Sequence, residues 1–171
     1  GRGELAPVLT DAQWETPKPG DPKFARDTVQ LIATAATALT AAASYLEQQG
    51  YHVVQLGDDL DDEAQVLGRA HARLAKRMRQ QGVSTAILSG GETRVVLGEG
   101  GGRGGRNTEY LAALALELDG ASGILAHAAD TDGIDGHGDH AGGIVVPEML
   151  QLGAARGLSL AQLLARHYTY S

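Results

Sequence analysis

The chain has 171 residues, 43% hydrophobic, 20% charged and only 4% aromatic, which suits one soluble domain, or one domain plus part of another, around an aliphatic core. A formal net charge of -7 argues against nucleic acid, whose binding rests on Lys and Arg contacts to phosphate. There is no cysteine for a disulfide or thiolate site, no signal-peptide pattern and no apolar run of the roughly 18 to 20 residues that a membrane helix needs, so a cytoplasmic location is expected by default.

The only methionines are Met78 and Met149, so the chain does not open on an initiator, and its first residues are expected to be the tail of a preceding segment. Thr16-Pro-Lys-Pro-Gly-Asp-Pro22 then reads as an ordered turn or linker, because proline removes donors and restricts its neighbour. Val29 to Thr34 is a β-branched run expected to form a strand. Ala35 to Gln49 is a predicted helix with Gly50 at its C-cap, and His52 to Leu56 a second strand. Asp62 to Gln81 places Leu67, Ala70, Leu74 and Met78 on one helical face, with Gly82 as the stop. Ser84 to Ser89 and Thr93 to Leu97 read as strands, and Asn107 to Leu118 as a helix bearing Leu111, Leu114 and Leu118. Gly123 to Ala129 and Gly142 to Val146 are further strands, with a helical tail from about Glu148. Such alternation predicts an α/β fold, a layered and mostly parallel sheet with flanking helices.

Three loops concentrate the chemistry. Ser89-Gly90-Gly91-Glu92-Thr93 could turn several backbone N–H groups toward an anion, or be a tight hairpin turn. Gly98 to Gly105 has six glycines in eight residues, and Arg103 and Arg106 interrupt a glycine-rich run that leads into a helix with Asn107 as N-cap. Exposed N–H groups, a helix dipole and guanidinium groups suit phosphate. No Gly-Lys-Ser/Thr of a Walker A loop is present. Gly100, Gly102 and Gly105 satisfy G-x-G-x-x-G, a match that arises easily in so glycine-rich a stretch, and an unstructured surface loop is the plain alternative. The third loop is Asp130-Thr-Asp-Gly-Ile-Asp-Gly-His-Gly-Asp-His140. Ile134 and Ala141 exclude an EF-hand, and a transition-metal site on His137, His140 and Asp135 or Asp139 lacks the H-E-x-x-H pattern. A magnesium-linked role for an aspartate beside a phosphate loop competes with ordinary Asp-Gly turn chemistry. The acids from Asp58 to Glu63 are explained by the helix that follows them. His71 reads as a surface or core residue, and His52, His127 and His167 show no evident partners.

Ser89-Gly-Gly-Glu-Thr93, Gly104-Gly-Arg-Asn-Thr-Glu109 and Thr131-Asp-Gly-Ile-Asp-Gly136, in this order and spacing, resemble the MOFRL-type glycerate 2-kinase family. Its members often carry the name hydroxypyruvate reductase, from a tartrate-degradation context. Glu15 to Pro22 and Leu56-Gly-Asp-Asp59 also resemble the family, so nearly the whole chain is covered. The resemblance implies phosphorylation of D-glycerate at its 2-hydroxyl with Mg-ATP, in a site between a Rossmann-like N-terminal domain and a smaller MOFRL domain. It places residues 1–82 at the end of the first domain and 83–171 in the second. It implies a catalytic role for Arg106, with Arg103 second. Substrate or phosphate contacts are implied for Ser89, Gly90, Gly91, Glu92, Gly104, Gly105, Asn107, Glu109, Thr131, Asp132 and Asp135, with magnesium on Asp132. The family's catalytic lysine has no counterpart here, so the expected partner is the missing N-terminal kinase domain, without which the chain is expected to be inactive. Asp130 stands where the family usually has glycine, His137, Gly138 and His140 depart from its pattern, and the chain stops before its final hairpin. No nucleic-acid or membrane partner is expected, and a homo-oligomer is left open. The alternatives are an NAD(P)-dependent hydroxypyruvate reductase and a non-catalytic assembly domain.

Overall fold

The computed structural model describes residues 11, 15–96, 102–136 and 139–170. Contacts divide the chain into residues 1–32 and 33–171. In the first unit Asp21 caps a 3-10 turn, Pro22–Phe24, by accepting a hydrogen bond from the Lys23 amide at 2.8 Å. The strand expected over Val29 to Thr34 is absent, since no described segment pairs with it and a strand without a ladder partner is not stable in water.

The second unit begins with helix α1 (Ala35–Gln48), whose N-cap Thr34 accepts from the Thr37 amide at 3.2 Å. Strand β1 (His52–Gln55), helix α2 (Ala64–Gln80), strand β2 (Thr85–Leu88) and helix α3 (Arg106–Leu118) follow. Strands β3 (Ala126–Ala129) and β4 (Gly142–Val145) precede two short helices, α4 (Met149–Ala155) and α5 (Leu160–Ala165). Gly50 and Gly82 adopt φ of +86° and +73° just past α1 and α2, the left-handed conformation that ends a helix cheaply only with glycine. The expected helical tail is broken between α4 and α5, where Gly157 has φ of +72°.

The described strands form two small sheets. β1 and β2 run parallel with Val53 opposite Ala86, while β3 and β4 run antiparallel with Ala128 opposite Gly143. A mixed α/β fold is therefore present, but not one mostly parallel sheet. Among the described residues of the loop from β3 to β4 there is no helix to carry a crossover, and neighbours joined without one pair antiparallel. The strand expected over Thr93 to Leu97 is reduced to one isolated bridge, Glu63 to Arg94, beside a second at Leu60 to Gly91, and Leu97 lies outside the described residues.

Helix α3 is the centre of the second unit. Leu111, Ala112, Ala113, Leu114, Ala115 and Leu118 are all buried, against α2, the β3–β4 pair and α5. Leu111, Leu114 and Leu118 join Ala72 and Val145 in the main cluster, and Ala112 and Ala113 meet Leu164 in a second. The face of α2 that packs on α3 is not the expected leucine stripe. Ala64, Gly68 and Ala72, four residues apart, are its buried positions. Small residues at that spacing let two helix backbones approach closely, and a Cβ on Gly68 would lie only 3.2 Å from the Leu114 nitrogen.

The α2–α3 seam continues through His71, whose Nδ1 shares a hydrogen bond with the Tyr110 hydroxyl at 2.9 Å. Burial lowers the His71 pKa and pushes the Tyr110 phenol up to about 12. Above 6.5 both folded and unfolded chains hold this imidazole neutral. As pH falls below 6.5 the unfolded chain takes the proton first, so stability declines until the folded imidazole is protonated too. His71→Gln should therefore flatten the acid side of a stability-versus-pH curve from urea titrations. The slope removed should stay below about 1.4 kcal/mol per pH unit, the limit for one proton, because the folded and unfolded titrations of a half-buried site overlap. An unchanged acid limb would assign the loss to other groups.

Candidate functional site

The first loop is not a hairpin turn. Beyond β2 the chain runs parallel to residues 57–63, with Gly90 N donating to Gly57 O at 2.9 Å and Glu92 N to Leu60 O at 2.9 Å. Gly91 has φ of +135°, and a Cβ there would overlap the Leu60 backbone, so the close crossing of two main chains demands glycine. This crossing carries Glu92 to the N-terminus of α3. Ser89 and Glu92 are exposed.

At that N-terminus Arg106 is gripped by two carboxylates. Its Nη2 and Nε donate to the two oxygens of Asp130 at 2.7 and 3.3 Å, and its Nη1 donates to Glu92 Oε1. These partners raise the Arg106 pKa further above its ordinary value, Asp130 most strongly, so the guanidinium is a permanent cation. Asn107 Nδ2 donates to Asp130 at 3.1 Å. Sequence reasoning missed the importance of Asp130, whose distance along the chain from Arg106 hides the pairing.

Asp135 is completely buried. Its carboxylate accepts from the backbone amides of Asn107 and Thr108 at 3.0 and 2.9 Å and from Asn107 Nδ2 at 3.3 Å. The chain's own aspartate therefore caps α3, where the sequence suggested an external anion and an N-cap role for Asn107. Gly105 is required there, because a Cβ would overlap the Asp135 side chain. Thr108 Oγ1 accepts from the Gly105 amide at 2.9 Å and shares a hydrogen bond with Thr169 Oγ1 at 2.9 Å.

The glycine loop packs against the tail after α5. Tyr170 N donates to Arg103 O at 3.1 Å, and a Cβ on Gly102 would lie 2.5 Å from His167 O. A Cβ on Gly104 would overlap Thr169. The freedom of Gly102, Gly104 and Gly105 thus serves close contacts within the chain, which argues against a dinucleotide fingerprint; Gly98 to Gly101 lie outside the described residues. Arg103 is exposed and holds its guanidinium carbon 5.4 Å from the centre of the Tyr170 ring. The Tyr170 hydroxyl donates to Asp139, which lowers the Asp139 pKa and raises that of Tyr170. His140 stacks on the same ring at 4.0 Å.

Glu109 is 2% exposed and accepts from Gln65 Nε2 at 2.7 Å, while its Oε1 lies 2.8 Å from His167 Nδ1. His167 has φ of +55°, uncommon for a residue with a side chain. Neither partner of Glu109 left a signal in the sequence. Asp132 is exposed and accepts from the Ile134 amide at 3.0 Å in an Asx turn, with the rest of its carboxylate open. Thr131 is exposed. Among the described residues no three His, Asp or Glu side chains are grouped to hold a metal ion. Of the expected transition-metal set, Asp135 is committed to its helix, and His137, with Gly138, lies outside the described residues.

Arg103, Gly104, Gly105, Arg106, Glu109 and Asp132 line one cleft of about 830 Å3, together with Asp130 and His167. Ser89, Gly90, Gly91 and Asn107 border a wider hollow of about 1190 Å3, and Arg106 and Asp130 line both. The arginine pair is thus the junction of the two spaces. No described helix is long and apolar enough to cross a membrane.

A protein of Agrobacterium vitis named "Putative hydroxypyruvate reductase" is 44% identical over 162 residues, covering 92% of this chain and 36% of its own. The D-glycerate 2-kinase of Thermotoga maritima is 33% identical over 161 residues, covering 92% of this chain and 37% of that protein. The crystal structure of a Thermotoga maritima glycerate kinase superposes with a TM-score of 0.75 at 31% identity, over 84% of this chain and 35% of that one. The chain thus spans little more than a third of the length of these relatives. The MOFRL family model matches residues 85–171, which include β2 and all three loops, and the chain belongs to the MOFRL family.

Proposed function

We propose that this chain contributes the arginine-bearing part of an ATP-dependent glycerate 2-kinase, transferring the γ-phosphoryl group of ATP to the 2-hydroxyl of D-glycerate in the cytoplasm. The observation that carries the reading is Arg106, a permanent cation held on the first turn of α3 at the edge of a cleft, in a chain whose relatives include D-glycerate 2-kinase. Phosphoryl transfer is catalysed mostly by positioning and by positive charge facing the γ-phosphoryl oxygens. Arg106 supplies that charge, and Asp130 and Asn107 fix its direction. Arg103, more exposed, would meet the outer phosphates. Gly104 and Gly105 let the loop close on Thr169 and Asp135 beside the cleft, and Glu109 braces the cleft's wall through Gln65 and His167.

Asp132 keeps part of its carboxylate open, which fits magnesium's preference for one or two carboxylates plus phosphate oxygens and water. Asp132 would hold magnesium there, whose charge would offset that of the phosphates. On this reading residues 1–82 complete a Rossmann-like domain and 83–171 form the MOFRL domain, with the rest of the site supplied by sequence that the longer relatives carry. The relatives' reductase name does not displace the kinase reading, because Gly102 and Gly105 spend their freedom on contacts within the chain.

The test is formation of 2-phosphoglycerate from D-glycerate and Mg-ATP by this segment joined to the N-terminal part of the Thermotoga maritima relative. Activity is expected in the fusion and not in residues 1–171 alone. In the fusion, Arg106→Ala should lower kcat by about a hundredfold or more, as for loss of one transition-state donor. Arg106→Lys should recover only part of it, lacking the fork of donors, and Arg103→Ala should be milder. Near-parental kcat in both alanine variants, or NADH oxidation with hydroxypyruvate in place of phosphorylation, would overturn the reading.

A further inference from the structure

The two carboxylates on Arg106 are not equivalent. Asp130 takes two donor nitrogens, its side chain is only 16% exposed, and Asn107 holds it in place. Glu92 takes one nitrogen, and its side chain is 78% exposed. Its backbone is pinned to Leu60, so the side chain can leave without disturbing the crossing of the two main chains. An exposed ion pair of this kind contributes little, whereas an arginine–phosphate contact is charge-assisted. With both carboxylates in place the group of three carries a net negative charge, which repels an incoming anion.

From this asymmetry the geometry points to Glu92 as an exchangeable internal ligand that occupies the outward nitrogen of Arg106 until an oxyanion of higher charge displaces it, with Asp130 as the fixed positioning residue. The assignment rests on the reading that Arg106 receives phosphate, and it gives that site a selection rule. A singly charged carboxylate offers no gain over Glu92, while a phosphoryl group with more than one negative charge does. Glu92 then swings into solvent and the Asp130–Arg106 pair remains neutral beneath the ligand. The exchange is non-covalent, and no bond or proton changes hands.

The experiment is calorimetric titration of the 171-residue chain with inorganic pyrophosphate at low ionic strength, where surface electrostatics are least screened. Glu92→Gln should bind pyrophosphate about fivefold more tightly than the parent, the scale of an exposed ion pair plus a removed repulsion. Glu92→Asp, which keeps the charge on a shorter arm, should show a smaller gain. Glu47→Gln on α1 controls for net charge and should change nothing, and Arg106→Ala should lose binding. Equal or weaker binding by Glu92→Gln, with binding still lost in Arg106→Ala, would overturn the exchange while leaving the phosphate site standing. No binding by the parent or by Glu92→Gln would overturn both.

Discussion

Gly68→Ala should destabilise the folded chain by about 2 kcal/mol, although alanine is the better helix former. In an exposed helix the change would gain about 1 kcal/mol. Here the added methyl would overlap the Tyr110 carbonyl oxygen and stand 3.3 Å from the Ala113 Cβ. The obstacle is the backbone of α3, which cannot rotate away as a side-chain tip would. Overpacking of this sort costs about 1 to 3 kcal/mol, and separating α2 from α3 also uncovers Ala64 and Ala72, both fully buried. Gly68→Leu should exceed what a small domain tolerates and abolish cooperative unfolding. Urea denaturation followed by circular dichroism reads both. A Gly68→Ala midpoint at or above the parent's would refute the close-packed seam.

Loss of Asp135 should be the more damaging of the charge changes. Asp135→Ala strips the cap from α3 and leaves two part-buried amide donors without their carboxylate partner, with a cost of about 3 to 5 kcal/mol. Asp135→Asn keeps one acceptor oxygen but turns amide hydrogens toward donors, so a loss of about 2 kcal/mol is expected. A direct contact with substrate would give a different pattern, with unchanged stability and weaker binding. Measuring urea midpoints beside pyrophosphate affinity for both variants distinguishes the two roles. An Asp135→Asn protein as stable as the parent would return this residue to the cleft.

Much of the helical framework was legible in the sequence. Apolar spacing located α1, α2 and α3, and the glycines after α1 and α2 ended them because few other residues adopt their positive φ. Leu111, Leu114 and Leu118 read as core and are core. The pairing of strands was less legible. Nothing local in Ser89 to Thr93 says that it runs beside residues 57–63, and the same Gly-Gly pair also suits a hairpin. The leucine stripe of α2 misled because helix contact there depends on the absence of side chains at Ala64, Gly68 and Ala72. In the site, the three loops were recognisable as motifs, yet the partners of their charged groups lie far along the chain. Asp135 meets Thr108 across 27 residues, and Glu109 meets His167 across 58. A glutamate within a helix ordinarily faces water, so only the fold reveals that Glu109 is buried.

The clasp between the glycine loop and the tail after α5 has a consequence for how the cleft can be watched. Thr108 and Thr169 join across 61 residues, and the Tyr170 amide closes the same contact on the Arg103 carbonyl. Release of the tail and loss of the cleft floor are therefore one local opening. The amide proton of Tyr170 becomes a reporter of that opening, through its exchange with heavy water, without any label in the cleft.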